Sequence, residues 1–374
     1  AFLSSAAFAA SFNPGSYSAS AVGMKGPVTV NVTFTADKIE KISIDPQSKE
    51  TVGIGSVAIE KLPAQIISSQ STNIQGVSGA SMTSCAIFQA VSECIKQAGV
   101  DPSTLKAKKV DQHAAKDTLS ADIVIIGGGV AGMSAAVNAA DHGAKVIIIE
   151  KMPFTGGASA ICGGQYAIQG TKLQKQKGVE NDPPQALVYD LIGNGHNYNN
   201  LSSLKTLAEQ SPRAADWAID RFKLHFINQK LQYRAEFQFD RSLYSKNGCG
   251  PMAESLRQAV KADGIEVLTN TRANKLIVKD GRVIGVQAQS KNGTSYTING
   301  NAVLLATGGY GANKDMLVEP LKSALYYGPV SSTGDGHKMA EEIGVPLELM
   351  QFGKRYPNGV EAAPGRAASV IQGN

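Results

Sequence analysis

The chain has 374 residues, which is long enough for two or three domains that each bury a core. Its formal net charge is only +5, and the lysines and arginines are scattered along the chain, so we exclude nucleic acid as a partner. The four cysteines are spaced too widely for a zinc or haem-attachment pair, so we predict no metal site. No apolar run reaches the roughly 18 residues of a membrane span, so we predict a protein that is soluble or peripheral.

The first 22 residues have no clear apolar period, and we assign them to a flexible N-terminal tail. The stretch Ala6–Ala10 is rich in small residues and resembles the end of an export signal, which favours a location outside the cytoplasm. Alternating apolar residues then predict two strands, Val28–Phe34 and Ile39–Ile44, joined as a hairpin.

Two predicted helices complete the N-terminal region. Apolar residues at helical spacing predict a helix over Ser56–Ser69, and a second helix follows that Ser84 caps and Gly99 ends. We assign residues 23–100 to a small α+β domain. The polar, charged residues 101–120 that follow are typical of a linker.

A βαβ unit begins after the linker. An apolar strand, Ile123–Ile126, is followed by a glycine turn, an alanine-rich helix to about Asp141 and a second apolar strand, Val146–Ile149. The two strands should be parallel, in a sheet that is covered on both faces. Short strands recur between residues 265 and 306 and predict a β-meander, with Asp-Gly and Asn-Gly pairs at 280–281 and 292–293 as hairpin turns. Residues 121–349 form this α/β domain.

The glycine turn has the spacing of a dinucleotide-binding site. Gly127 permits the tight turn, Gly129 lets a pyrophosphate approach the backbone, and Gly132 lets the helix pack on the strand. The N-terminus of the helix, with Ala131 in its first turn, would then stabilise the anion. Glu150 ends the second strand, where it can accept hydrogen bonds from a ribose hydroxyl.

More backbone sites for a long ligand follow along the chain. The 39 glycines exceed the roughly 7% of an average protein, and several form clusters that NAD domains do not usually need. The clustered residues are Gly156, Gly157, Ala158 and Ser159; Gly163 and Gly164; Thr307, Gly308 and Gly309; and Thr333, Gly334 and Asp335.

From about Asp122 to His337 the chain resembles the FAD-binding domain of the fumarate reductase and succinate dehydrogenase flavoproteins. The resemblance implies an α/β fold: a Rossmann-like domain of the glutathione-reductase type, with a parallel sheet plus the β-meander, preceded by a small α+β domain. It implies non-covalent FAD, lined by the glycine turn, Glu150, Lys151 and the clusters named above. At Ala158 the family often has Asn.

The N-terminal domain carries a second resemblance. Residues 77–83 read Val-Ser-Gly-Ala-Ser-Met-Thr and resemble the acceptor motif of FMN-binding domains, in which a flavin transferase esterifies a Ser or Thr to the FMN phosphate. Ser81 matches the acceptor. Gly79 and Ala80 leave room for the phosphate, with Thr83 nearby, and the adjacent helix offers unpaired N–H groups. The resemblance also favours an extracytoplasmic protein.

The two resemblances together imply a flavin-dependent reductase. Electrons would pass from a membrane or soluble donor to covalent FMN at Ser81, then to FAD, and finally to the C=C bond of a small α,β-unsaturated carboxylic acid. Two alternatives stay open. One is an oxidative dehydrogenase or oxidase of the same superfamily, and the other is a non-catalytic two-flavin electron carrier.

The C-terminal residues 350–374 resemble the beginning of the family's substrate-capping domain, whose later part carries the proton-donating arginine. We therefore assign no catalytic residue. Where dicarboxylate reducers have Glu, two residues, then Arg-Gly, this chain has Gln372-Gly373 at the end of the segment. Glutamine cannot reproduce the bidentate fork of arginine, which makes fumarate a doubtful substrate, although Arg355 or Arg366 remains a candidate for binding a carboxylate.

Overall fold

The computed structural model divides the chain into two compact units, residues 1–113 and 114–374, with the division inside the expected linker. The two units are described separately. The residues that the structure describes are 11–77, 79–107, 115–226, 237–245, 248–353, 360–363 and 366–368.

The N-terminal unit is a three-stranded antiparallel sheet covered by two helices. In the strand Pro27–Phe34, the alternating residues Val28, Val30 and Val32 are completely buried, so one face of the sheet forms the core. The second helix packs on the first two strands and on the first helix. In chain order the elements are β1 (Gly15–Val22), β2 (Pro27–Phe34), β3 (Ile39–Ile44), α1 (Gly55–Ser69) and α2 (Ser81–Gln97).

Two expectations for this unit are wrong. Gly15–Val22 does not belong to a flexible tail, because it pairs with β2 over its whole length. Ser84 does not cap α2, which begins three residues earlier with Ala80 as its N-cap. The Ser84 hydroxyl instead accepts from the N–H of Val77 and donates to the carbonyl of Ala80, and so fixes the turn that precedes the helix.

The second unit is a six-stranded mixed sheet with helices around it. In spatial order the strands are Glu266–Leu268, Val146–Ile149, Lys116–Ile126, Ser295–Leu305, Arg282–Ser290 and Thr271–Lys279. The first four strands of that order are parallel, and the last three form the expected meander. The elements are β4 (Lys116–Ile126), α3 (Val130–Asp141), β5 (Val146–Ile149), β6 (Gln165–Ala167), α4 (Lys172–Gln176), α5 (Pro184–Asn194), α6 (Leu201–Phe222), β7 (Ser242–Tyr244), α7 (Gly250–Ala262), β8 (Glu266–Leu268), β9 (Thr271–Lys279), β10 (Arg282–Ser290), β11 (Ser295–Leu305), α8 (Asp335–Glu342), β12 (Val360–Ala363) and β13 (Arg366–Ala368).

Strand β4 is longer than its apolar residues indicate. Its polar first half, Lys116–Ser120, was expected to be linker, but it pairs in parallel with Ser295–Asn299 of β11. The pairing continues to Ile126 opposite Leu305. This register brings the carboxyl ends of both strands to the same edge of the sheet as the glycine turn.

Apolar cores cover both faces of the sheet, as expected for parallel strands. Alternate residues of β4 and β5 point to opposite faces: Ile125 and Ile148 pack with α3 and α7, whereas Val124 and Ile147 pack with the meander and with Met339 of α8. Since the sheet is buried on both sides, its strands are rigid supports for the loops at their ends.

A buried ion cluster lies in the helical region. The guanidinium of Arg241, whose side chain is fully buried, donates to both carboxylate oxygens of Asp182 at 2.6 Å and to Asp190 at 2.5 Å. The cluster ties the residues before α5 and the middle of that helix to the residue that precedes β7. Along the described residues, no helix is both long enough and apolar enough to cross a bilayer.

Candidate functional site

The turn from β4 to α3 requires glycine at two positions. Gly127 has φ +109°, and a Cβ there would lie 2.3 Å from the carbonyl oxygen of Ala306. A Cβ on Gly132 would lie 1.9 Å from the carbonyl oxygen of Gly127, so this glycine lets α3 pack against the turn. A Cβ on Gly129, in contrast, would meet nothing within 4 Å, because this residue faces open space.

The N-terminus of α3 is open to that space. Its N-cap is Gly129, which has no side chain to accept the first N–H groups of the helix. Val130 and Ala131 in the first turn line a cavity of about 450 Å³. Free N–H groups and the helix dipole at the wall of a cavity favour an anion there.

The cavity collects residues from most of the expected clusters. It lies at the carboxyl ends of the parallel strands, the edge at which open α/β sheets bind ligands. The predicted residues that line it are Gly127, Gly129, Ala131, Glu150, Lys151, Gly157, Ala158, Ser159, Thr307, Gly308 and Asp335.

Other predicted residues support the cavity from behind. Gly132 lies under the turn, and the N–H of Gly156 donates to the carbonyl of Gly128 at 2.7 Å. The carbonyl of Gly309 accepts from the N–H of Gly334, which has φ +74° and is the N-cap of α8. Two glycines lie apart from the lining: Gly163 is exposed, and Gly164 packs against the backbone of Gly248.

Glu150 is a buried carboxylate that holds the glycine turn. One of its oxygens accepts from the N–H of Gly128 at 2.8 Å and the other from the N–H of Met152 at 2.7 Å. Burial raises the pKa of Glu150, although both hydrogen bonds act in the opposite direction. The carboxylate therefore positions the turn as well as lining the cavity.

An ionic network closes one side of the cavity. The ammonium of Lys151 donates to Thr333 at 2.6 Å and to Asp335 at 2.9 Å, and Arg272 donates to Asp335 at 2.7 Å. Burial by itself raises the pKa of Asp335, but the hydrogen bonds from Arg272 and Lys151 outweigh burial and hold the pKa below its usual value. Asp335 is thus an anchored carboxylate between two cations.

Several lining residues were missed by sequence reasoning. Thr271, Arg272 and Ala273 begin β9, and nothing in the sequence marks this strand as a neighbour of the glycine turn. His337 also lines the cavity, with its ring against that of Tyr310 at a centroid distance of 4.9 Å. Its position directly after the Gly334-Asp335-Gly336 segment was a signal that could have found it.

The N-terminal unit has its own uncapped helix start. Ala80, the N-cap of α2, has no side-chain cap, and Ser81 begins the helix with an exposed side chain. Gly79 precedes them with φ +90°. The N–H groups of the first turn and a solvent-accessible hydroxyl therefore occur together at one position.

A carboxylate also supports this helix start. Glu50 accepts from the buried hydroxyl of Thr83 at 3.0 Å and from the N–H of Met24 at 2.7 Å. A Cβ on Gly55, the first residue of α1, would lie 2.8 Å from the Glu50 carboxylate and from the Thr83 hydroxyl. Glu50 thus joins the β1–β2 turn, α1 and the first turn of α2.

Two family models match the chain. The model of an FAD-binding domain matches residues 122–368, and the model of an FMN-binding domain matches residues 23–96. The first match covers the glycine turn and the cavity, and the second covers Glu50, Gly79 and Ser81. Each unit is therefore matched by a flavin-binding family.

Relatives and solved structures agree with these matches. The chain is 30% identical to urocanate reductase of Eggerthella lenta over 91% of this chain and 57% of that protein, and 28% identical to NADH:acrylate oxidoreductase of Vibrio harveyi over 93% and 41%. An open conformation of a flavocytochrome c3 fumarate reductase aligns with a TM-score of 0.58 and 31% identity, covering 66% of this chain and 46% of that one. The chain thus spans about half the length of these relatives.

The second unit fits FAD in its own geometry. Gly129 and Gly308 each leave space where a Cβ would meet nothing within 4 Å, the α3 terminus is open to an anion, and the cavity size is ordinary for a cofactor site. Among the described residues, no group of three or more His, Cys, Asp or Glu side chains could hold a metal ion.

Proposed function

We propose that this chain takes part in the reduction of the C=C bond of an α,β-unsaturated carboxylic acid. It belongs to the FAD-binding flavoprotein family of the fumarate reductases and has an FMN-binding domain on its N-terminal side. The observation that carries the proposal is the pairing of an FMN-binding domain with an FAD cavity in one chain. Urocanate reductase and NADH:acrylate oxidoreductase, which the chain resembles over nine tenths of its length, are named for such acids.

In this proposal FAD binds non-covalently in the cavity of the second unit. The N–H groups at the start of α3 would hold its pyrophosphate, and Glu150 is the residue for a ribose hydroxyl. Bound FAD supplies the hydride for reduction of the C=C bond. The chain's own contribution is to orient the cofactor with the glycine turn and to screen it from water with the apolar walls Ile126, Ile149 and Leu305.

FMN is proposed to be attached covalently to Ser81 by a flavin transferase. Three observations support this: the match to an FMN-binding domain, the exposed hydroxyl, and the uncapped N–H groups around it. FMN at this position would receive electrons from a membrane-bound or soluble donor and pass them towards FAD. Transferase-modified domains generally work outside the cytoplasm, so we propose an extracytoplasmic location, which the small-residue stretch Ala6–Ala10 also favours.

The proposed substrate is an unsaturated acid other than fumarate. The argument rests on Gln372 in place of an arginine, since glutamine cannot form the bidentate contact that a second carboxylate favours. Residues 354–359, 364–365 and 369–374, which include Arg355 and Gln372, lie outside the residues that the structure describes. Of Arg366 only the backbone is described, as the first residue of β13.

Anaerobic turnover tests the proposal directly. The full-length protein, expressed with a flavin transferase and reduced to completion, is mixed with fumarate, with an aryl acrylate, with a quinone or with oxygen, and flavin reoxidation is followed by absorbance. We expect the aryl acrylate to reoxidise the flavin fastest. A preference for fumarate would refute the substrate class, and reoxidation by quinone or oxygen but by no unsaturated acid would favour the oxidative alternative.

A further inference from the structure

Two cysteines of the second unit lie together beside the cofactor cavity. Cys162 follows the 3-10 turn Gly157–Ala160, which lines the cavity, and Cys249 is the N-cap of α7. The N–H of Cys249 donates to the carbonyl of Cys162 at 3.1 Å, and the N–H of Ser245 donates to Gly164 at 2.9 Å. These bonds pair the two segments side by side.

The backbone geometry suits a disulfide. A backbone hydrogen bond between two residues keeps their Cα atoms close together, which is compatible with the roughly 4.4–6.8 Å separation that a disulfide spans. Each thiol is the first cause of the shift in the other's pKa, as expected for two cysteines that the backbone hydrogen bond holds next to each other. Both cysteines are reduced in the structure.

The two sulfurs differ in the way that a reactive pair requires. Cys162 is exposed to solvent, whereas Cys249 is 4% exposed. The hydrogen bond from Cys249 lowers the pKa of the Cys162 thiol to about 6, and the same bond, together with burial, raises the pKa of Cys249. Cys162 is therefore the accessible thiolate, and Cys249 is the protected thiol behind it.

The surroundings preserve this arrangement. Tyr166 packs against the core cluster that contains Cys249, and burial raises its pKa to about 12, so its hydroxyl stays neutral. Cys249 is the N-cap of a helix of 13 residues, and the N-terminus of such a helix stabilises a developing thiolate. Once Cys162 is in a mixed disulfide, its negative charge is gone and one of the causes that raise the pKa of Cys249 goes with it.

We propose that Cys162 and Cys249 are a thiol–disulfide exchange site that forms a reversible bridge with a low-molecular-weight disulfide as oxidant. The Cys162 thiolate attacks one sulfur of the small disulfide, breaks its S–S bond and releases one small thiol. The Cys249 sulfur then loses its proton, attacks Cys162 and expels the second small thiol. Two protein thiols are oxidised, one small disulfide is reduced to two thiols, and the two protein protons leave on those thiols.

The bridge would act on the cavity wall. The Cys162 thiol donates to the carbonyl of Ser159 at 3.5 Å, and Ser159 lines the cavity. Oxidation joins Cys162, which follows the 3-10 turn, covalently to the N-cap of α7, and so ties the segment that carries Ser159 to this helix. The site thus couples the thiol state of the surroundings to one wall of the cavity, whether or not a cofactor is bound.

Glutathione disulfide is the probe for this site. The whole chain is treated with it, remaining thiols are blocked with iodoacetamide, and peptides are identified by mass. We expect a Cys162–Cys249 cross-link and a loss of two hydrogens from the intact mass. With iodoacetamide alone at neutral pH, we expect Cys162 to react about ten-fold faster than Cys85, an exposed cysteine of the other unit.

Variants separate the two steps. Cys162→Ser should abolish the bridge and leave Cys249 unmodified, Cys249→Ser should stop at a stable glutathione adduct on Cys162, and the control Cys85→Ser should form the bridge as the parent does. The proposal fails if the parent chain accumulates a stable adduct without the bridge, or if Cys162 is alkylated no faster than Cys85. These readouts need only the parent chain, so a variant that does not fold leaves them intact.

Discussion

The N-termini of two helices in this molecule are built alike but have different surroundings. Helices α2 and α3 both begin without a side-chain cap, and each start is held by a glutamate, Glu50 in the first unit and Glu150 in the second. Around α3, segments from distant parts of the chain enclose a cavity, whereas α2 presents an exposed hydroxyl on Ser81. A non-covalent cofactor needs many contacts that enclose it, but a covalent one needs a single accessible nucleophile.

Replacement of Ser81 is the strongest test of that contrast. Ser81→Ala in protein expressed with a flavin transferase should lose all covalent FMN, because no other hydroxyl occupies the acceptor position, while FAD content stays unchanged. Flavin fluorescence of the denatured chain and the peptide mass around residue 81 measure the loss. Ser81→Thr should restore the attachment, and Ser92→Ala, further along the same helix, should keep it; covalent flavin surviving in Ser81→Ala would disprove the assignment.

Replacing Gly132 or Gly129, two glycines of the same turn, should distinguish an effect on folding from an effect on cofactor binding in the second unit. Gly132→Ala should destabilise the fold by at least about 2 kcal/mol, since its Cβ would lie 1.9 Å from a carbonyl oxygen. Gly129→Ala, with open space around its Cβ and φ −74°, should change stability by less than about 0.5 kcal/mol. Urea unfolding measures both.

The same two variants should differ in their affinity for FAD. Gly129→Ala should weaken FAD roughly ten-fold, because the added methyl group occupies the approach to the N-terminus of α3. Fluorescence titration of the apoprotein gives the dissociation constant. Equal losses of stability in the two variants would mean that Gly129 supports the turn instead of the ligand.

Replacement of Thr83 tests whether the Glu50 carboxylate stabilises the first unit. Thr83→Val removes the buried hydroxyl that donates to Glu50 and should cost about 1–2 kcal/mol of unfolding free energy, since a half-buried carboxylate loses a partner. Thr33→Val is the matched control, because the Thr33 hydroxyl bonds only to an exposed serine on β1. If both variants unfold at the same urea concentration, Glu50 does not organise the start of α2 in the way described.

Replacement of Asp335 should change stability by a small amount that depends on pH. Its pKa is lowered in the fold, so its stabilising contribution is present above the pKa of the unfolded state and is lost as the pH falls through the lower, folded value. Asp335→Asn should therefore cost about 1 kcal/mol at neutral pH, and less in acid.

Apoprotein unfolding across pH 3–7, with Asp280→Asn in a tight turn as the control, measures this difference. The contribution of Glu150 to stability should depend on pH in the direction opposite to that of Asp335. Its pKa is raised, so its contribution is full below the unfolded pKa and declines as the pH rises through the folded value. A cost of Asp335→Asn that does not change with pH would show that its ion pairs do not stabilise the fold.

The parts of the molecule that were predictable are those whose cause is local. The turn at Gly127 requires a positive φ, the hairpins at Asp280 and Asn292 use turn residues, and β4 and β5 contain apolar runs. A short stretch of sequence is therefore enough to predict each of them. The βαβ unit and the glycine contribution to the cavity followed directly from these signals.

The parts that were missed depend on distant partners. Strand β1 reads Gly-Ser-Tyr-Ser-Ala-Ser-Ala-Val, with little apolar character, and it is a strand because β2 and α2 pack against it. Lys116–Ser120 is extended because β11 pairs with it, and Arg272 reaches the cavity only because the meander folds back onto the sheet. Local patterns do not contain this information.

The pairing of β4 with β11 has a consequence for synthesis of the chain. Ile126 finds its partner Leu305 only after the helices and the meander between them have left the ribosome. Until then the apolar edge of β4 is unprotected, and loop closure over so long a separation is slow. The second unit is therefore expected to mature late and to need a chaperone while it waits, whereas the first unit can complete its sheet as soon as it emerges.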